Sequence, residues 1–442
     1  MKTRRALATL SGLIVVAAGL TGCGDDGGGG GATGSHLDVL VQANSIYPEQ
    51  QRQWFADVSA RFAAETGVTV RFETFASPND ELTKIQTSVL SSQGPDVYSL
   101  GTTFTPTAYA TGAFVELGAD DWAKLGGREK FLPATLGISG PEPGKEVGVP
   151  FASRPFVMAY NKELLASAGI DRPAESWDGL REQARKLTTD GRYGLAVAYA
   201  DSFDPWKFIW AMTVQAGNPL VDGGSLRLDD PTTLAAYRTY LGFLAGDKVV
   251  DPAAVGWKNA QAIAAFAAGK AAFLPMVSAT SKVTLDASPV AGKYAYAIMP
   301  TVPPGASTLP AQGRPATSIL SGDNLVVAKY SRNKDAALKL IKMLTDPEMQ
   351  GLYYKTFGEL PTNAEAAAAL AGDPALAAVV DSSSKAVGTP FTGAWSQIQL
   401  ALVNVVVQSI PGLSAGRVDE AGLRSLLAEA QTTGQAALDK AK

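Results

Sequence analysis

Strand and helix signals alternate from residue 37 onward, which predicts an α/β fold with a mainly parallel sheet covered on both faces. Leu37 to Ala43 (LDVLVQA) is a short apolar run of strand length. Pro48 to Thr66 places Trp54, Phe55, Val58 and Phe62 on one helical face, and Gly67 is positioned to end that helix. Val68 to Thr74 alternates with period two. Pro78 to Ser92 repeats the helical spacing through Leu82, Ile85, Val89 and Leu90. Gly94-Pro95 breaks it, and Asp96 to Leu100 (DVYSL) is a third strand.

The alternation continues. A strand holding Pro150 and a second one, Phe156 to Tyr160, lie within Lys145 to Tyr160. Helices are predicted at Lys162 to Ala168 and at Ser176 to Thr188, with Ser176 as N-cap. Tyr193 to Tyr199, Ala271 to Pro275, Tyr294 to Met299 and Asn324 to Ala328 read as strands. Pro205 to Gln215 and Pro231 to Ala245 read as helices, and the chain from Trp395 onward is helical and rich in Ala and Leu. Pro303 to Pro315 is the clearest internal loop. No fixed-period repeat occurs, so a solenoid is excluded.

Lys2, Arg4 and Arg5 precede an apolar run, Leu7 to Leu20, of 14 residues. A spanning helix needs about 20, so this reads as an export signal. Removing it leaves 35 basic residues against 42 acidic ones, a net of −7. An acidic chain without basic clusters argues against a nucleic-acid partner. The single Cys23 leaves no disulfide, and residues 24–36 form a Gly-rich tether with an r.m.s. reach of about 20 Å. The single histidine, His36, falls in that tether. Ser-His-Asp catalysis, Cys-His catalysis and His or Cys zinc sites are thereby excluded, and no P-loop occurs. Neither an enzyme nor a cofactor is expected. A carboxylate-pair hydrolase needs neither residue type and stays open as an alternative. Adjacent Tyr353 and Tyr354 suggest either core packing or a ferric site, and packing is the expectation.

Leu20-Thr21-Gly22-Cys23 resembles the lipobox of bacterial lipoproteins, which implies a lipid on Cys23 after cleavage behind residue 22. GPDVYSLG (94–101), VGVPFASRPFVMAYNKELLASAGIDRPAESWDGL (147–180), AFAAGKAAF (265–273), SGDNLVVAKYSRNKDAALKLIKMLTDPEMQ (321–350) and GELPTN (358–363) together resemble family 1 of the extracellular solute-binding proteins, the maltose-binding-like group. Each motif is weak alone, but their common order spans nearly the whole mature chain. The resemblance implies a two-lobe periplasmic-binding-protein-like fold with discontinuous lobes and a hinge crossed several times. The expected partition is 1–22 signal peptide, 23–36 lipidated Cys and tether, 37–148 plus 301–350 first lobe, and 149–300 plus 351–442 second lobe. Crossings are expected near Val149-Pro150, near Pro300 and within Asp346 to Phe357. The implied function is sugar capture for the permease of an ABC importer, by a monomer tethered through its lipid to the outer face of a Gram-positive cell membrane.

Sugar rims call for groups that donate and accept hydrogen bonds, and sugar faces for flat rings. Loops after strands are where open α/β sheets bind ligands. Asn44, Ser45 and Tyr47 follow the first strand, as ligand contacts or as caps of the next helix. Thr102, Thr103 and Phe104 follow the third, with the same two roles open. The resemblance places Arg154 after the first crossing, as a ligand contact or an ion pair. It makes Trp206, after Asp204-Pro205, the expected stacking aromatic. It also brings Asp323, Phe391 and Trp395 to the cleft. One departure stands out. Where sugar binders commonly carry Gly-x-Trp, this chain reads Pro275-Met276-Val277-Ser278-Ala279. Met276 and Ser278 stay candidate contacts, but a stacking platform is missing there. A smaller or more polar solute is favoured, with a glycerophosphodiester on Arg154 as the alternative.

Overall fold

The computed structural model describes residues 36–441, apart from 203 and 371. The signal segment, Cys23 and nearly all of the tether lie outside the described residues. His36 does not belong to the tether. It opens strand β1 (His36–Gln42), where it pairs with Thr69 and sits 3.6 Å from the Asp38 carboxylate.

One six-stranded sheet combines β1 with β2 (Thr69–Phe75), β3 (Val97–Gly101), β4 (Gly148–Ser153), a late strand Gly322–Val327 and a short one at Leu360–Pro361. A four-stranded sheet combines β5 (Val157–Asn161), β6 (Tyr193–Leu195), Ala271–Val277 and Tyr294–Ala297. Each sheet with its helices forms one lobe. β1 pairs in parallel with β2 and with β3, because helical crossovers join them. The late strand Gly322–Val327 runs antiparallel to both β3 and β4, and Leu360–Pro361 antiparallel to β4. The second sheet is mostly antiparallel. The expectation of a mainly parallel sheet is therefore corrected outside the first three strands. Strands that arrive from the other lobe need no crossover helix and can enter in either sense.

Helix starts are set by local chemistry. Pro48, Pro78, Pro205 and Pro231 each occupy the first helical turn, where a missing N–H costs nothing. Ser176 caps the helix Trp177–Leu187, its hydroxyl accepting from the Gly179 N–H at 3.1 Å. Gly67 ends the helix Pro48–Thr66 at φ 75°, a left-handed conformation that suits glycine. The expected strand Tyr193–Tyr199 stops at Leu195, since Tyr199 and Ala200 bond instead to the carbonyls of Ala254 and Trp257.

Both faces of the first sheet are buried. Leu37, Val39, Val58 and Phe62 pack on one side; Leu40, Phe75, Leu82 and Tyr98 pack on the other. The crossing points differ from those expected. The chain stays in the first sheet through Ser153 and crosses over 154–156, where the Phe156 N–H donates to Ser318 Oγ. Residues 301–317 remain with the second lobe, Val302 bridging to Ser176 and Ala316 to Gln215. The return falls at 318–321. Helix Pro347–Phe357 and strand Leu360–Pro361 then stay with the first lobe.

Candidate functional site

A cavity of about 240 Å³ lies between the lobes. It is lined from the first lobe by the loops after β1 and β3, and from the second lobe by the start of helix Pro205–Gln215 and by Val277, Ser278 and Thr280.

Ten of the thirteen expected ligand contacts line it, but several are already engaged by the protein. Asn44 Oδ1 accepts from the N–H groups of Ile46 and Tyr47, so it shapes the turn into the next helix. Tyr47 reaches across the cleft, its hydroxyl donating to the Thr280 carbonyl at 2.5 Å with Thr284 Oγ1 at 3.1 Å. Thr102 donates to the Leu320 carbonyl, and Ser278 is paired with Thr280 Oγ1. Phe104 is buried in the first-lobe core. Ser45 and Thr103 line the cavity as well.

Arg154 is held by two carboxylates. Its Nε donates to Glu359 at 2.8 Å and its Nη2 to Asp323 at 2.5 Å. All three line the cavity. Of the two roles open to Arg154, the ion pair is the one these contacts form. Burial pushes the Glu359 carboxyl up to about 7, against the opposing pull of Arg154.

Trp206 lines the cavity yet is almost wholly buried, edge-on to Trp395 with ring centroids 5.8 Å apart. Its indole N–H finds no protein partner. Trp395 itself is a core residue outside the lining. Met276 also lies outside the lining. It is buried at φ 54° beside the irregular pairing of Val157–Ala159, packing under the sheet. Phe391 lies outside the cavity too, resting on Tyr109 at 5.9 Å.

Sequence reasoning missed the aromatic wall. Trp54 packs edge-on to Tyr353 (5.2 Å) and Phe357 (6.1 Å), Tyr353 lies against Phe151 (4.7 Å), and Phe55 stacks on Phe72 at 4.3 Å. All six line the cavity, and Trp54, Phe55, Phe72 and Tyr353 are only half-buried. The packing reading of Tyr353 captures part of its role, since it also faces the cleft. Missed too were Glu81, Asp201, Lys207, Glu359 and Gln399. Glu359 stood in the GELPTN stretch and Lys207 next to Trp206, which was signal enough to find them. Nothing local distinguished Glu81 from any other helix-surface acid.

An aromatic-walled cleft between two α/β lobes, with polar groups from both, is the architecture of a binding protein. The chain belongs to the bacterial extracellular solute-binding protein family, whose model matches residues 47–351. Membership implies an extracytoplasmic location, and among the described residues no helix is long and apolar enough to cross a membrane. The chain is 26% identical to the diacetylchitobiose binding protein DasA of Streptomyces coelicolor over 414 residues, 90% of this chain and 91% of that protein. Its fold matches maltose-bound MalE3 of T. maritima with a TM-score of 0.74 at 22% identity, covering 90% of this chain and 99% of the other. A ribitol-bound solute-binding protein of Agrobacterium radiobacter K84 gives 0.75 at 20% identity, covering 91% and 99%.

Proposed function

We infer that this chain is the substrate-binding lipoprotein of an ABC importer, and that it captures a small carbohydrate between its lobes for delivery to a membrane permease. The observation that carries the reading is the pairing of half-exposed rings, Trp54, Phe55 and Tyr353, with a polar set that includes Thr103, Asp323 and Gln399 in one cavity. Rings suit the C–H faces of a sugar and the polar groups its hydroxyls. This wall also takes the place of the platform lacking at Pro275 to Ala279. The similar proteins whose names record diacetylchitobiose, maltose and ribitol support a carbohydrate or polyol. The lipobox-like Leu20 to Cys23 supports anchoring through Cys23. A diacylglycerol plus an N-terminal acyl chain holds a protein stably, whereas one chain is marginal.

A thermal-shift panel of the full chain against mono-, di- and trisaccharides, polyols and glycerophosphodiesters tests the solute class. A solute at 100 times its Kd stabilises by about 2.7 kcal/mol, a shift of several degrees. A shift with sugars or polyols is expected. A shift confined to phosphodiesters overturns the carbohydrate reading. Cys23→Ala is expected to move the protein from the membrane fraction to the medium.

A further inference from the structure

The charge on the cleft is lopsided. Among the described residues that line it, five carboxylates (Glu81, Asp201, Asp204, Asp323, Glu359) face two cations, Arg154 and Lys207. Neither cation is available to compensate more. Arg154 serves Asp323 and Glu359. Lys207 binds Asp204 at 2.6 Å and lies over the Phe156 ring at 4.1 Å. Asp201 is fixed by the N–H groups of Asp204 and Asn259. Glu81 is left. It is only 3% exposed, its Oε1 has no hydrogen-bond partner, and no cation contacts it. A buried carboxyl without a partner is costly, and it implies a group that arrives from outside.

Among the described residues no three acids converge closely enough to hold a metal ion. A single organic cation fits better. Its charge would meet Glu81, and the aromatic residues Trp54 and Tyr353 line the same cavity. We propose that the captured carbohydrate carries a protonated amine, and that Glu81 is the residue that selects for it. The proposal rests on the carbohydrate reading and narrows it to amino sugars. Burial, with the charge of Asp323 behind it, holds the Glu81 carboxyl well above the usual carboxylate range in the empty cleft. A bound ammonium reverses that balance, so the carboxyl ionises as the amine docks.

The test is calorimetric titration of the full chain at about pH 6, where an amine near 8 is charged. The probes are the chitobiose disaccharide as free diamine, its di-N-acetylated form, and maltose. The wild type is expected to bind the diamine at least about tenfold more tightly than either neutral disaccharide. In Glu81→Gln, which keeps the shape and removes the charge, that preference is expected to vanish. Equal or tighter binding of the neutral sugars by the wild type overturns the proposal and leaves the carbohydrate reading standing. A preference that survives Glu81→Gln removes Glu81 as the selector. Failure of every sugar, neutral and aminated, overturns the carbohydrate reading and this proposal with it.

Discussion

Trp54 illustrates what a single residue's spacing leaves unsaid. Its position on the face shared with Val58 and Phe62 made it legible as apolar and inward, yet it is only half-buried, packed against the core those two enter. One turn earlier, the same stripe passes the edge of the sheet and opens onto the cleft. Trp54→Ala is therefore expected to weaken solute binding more than tenfold, about 1.4 kcal/mol or more, with a small change in melting temperature. Calorimetry paired with a melt checks it; unchanged affinity would remove Trp54 from the site. Trp206 calls for the opposite design, because its ring is core on one side. Trp206→Ala should destabilise the fold by about 3–5 kcal/mol, so Trp206→Phe is the useful probe of its unpartnered N–H. Glu359 adds a pH dependence. Its carboxyl rises from an ordinary 4.5 to about 7 in the fold, so the native state holds that proton where the unfolded chain has released it. Its contribution is complete below about pH 4.5 and is lost as pH rises through 7. Asp204, raised by burial to about 6, acts in the same sense. In ligand-free protein, Glu359→Gln is expected to gain on the wild type in melting temperature between pH 4.5 and 7, by on the order of 1–3 kcal/mol of stability. A widening gap in the other direction would mean that Arg154 governs the carboxylate.

At the scale of elements, the helices were the most legible part. Proline at the first turn, Ser176 as a cap and Gly67 at the end are local signals, and Pro48–Thr66, Pro205–Gln215 and Pro231–Ala245 begin and end where those signals stand. Strand sense and lobe membership were not legible, because both depend on which distant segment lies alongside. Val149 and Pro150 read as a crossing but pair with Leu325 and Asn324 inside the first sheet. The same limit hid Gly358. Within its own helix it is a cap at φ 73° whose N–H bonds to the Tyr354 carbonyl. In three dimensions it also meets the other lobe. A Cβ there would stand 2.7 Å from the Ala279 carbonyl oxygen and 2.8 Å from Thr280 Cα. Both obstacles are backbone, so they cannot swing aside. Gly358→Ala is expected to cost about 1–3 kcal/mol in stability and to spread the lobes at this contact. Denaturant unfolding and small-angle scattering check the two effects, and a variant unchanged in both would show that the lobes are loosely apposed here.

At the scale of the molecule, the two lobes are held together by a few polar contacts in addition to the crossing segments. Tyr47 bonds to Thr280 beside the cleft, while Thr107 bonds to the Gly393 carbonyl and to Ser396 Oγ at the start of helix Trp395–Ser414. Binding proteins of two lobes work by closing on their solute, and the solute gains only what its contacts contribute beyond the energy of closure. Contacts already made between the lobes lower that energy, and so raise apparent affinity without touching the solute. Tyr47 separates this effect from direct recognition. Its hydroxyl is spent on Thr280 and Thr284 of the other lobe, so Tyr47→Phe removes those inter-lobe bonds and leaves the ring in the lining. A hydrogen bond of this kind contributes about 0.5–1.5 kcal/mol. Ligand-free Tyr47→Phe is accordingly expected to have a larger radius of gyration than the wild type, and to bind solute about 2- to 10-fold more weakly. At saturating solute the two radii should coincide, because the bound state is closed in both. Equal radii without ligand, together with equal affinity, would show that these bonds add nothing to closure and that the crossing segments alone set the angle between the lobes. Weaker binding with equal radii would instead return Tyr47 to the solute, as a contact in its own right.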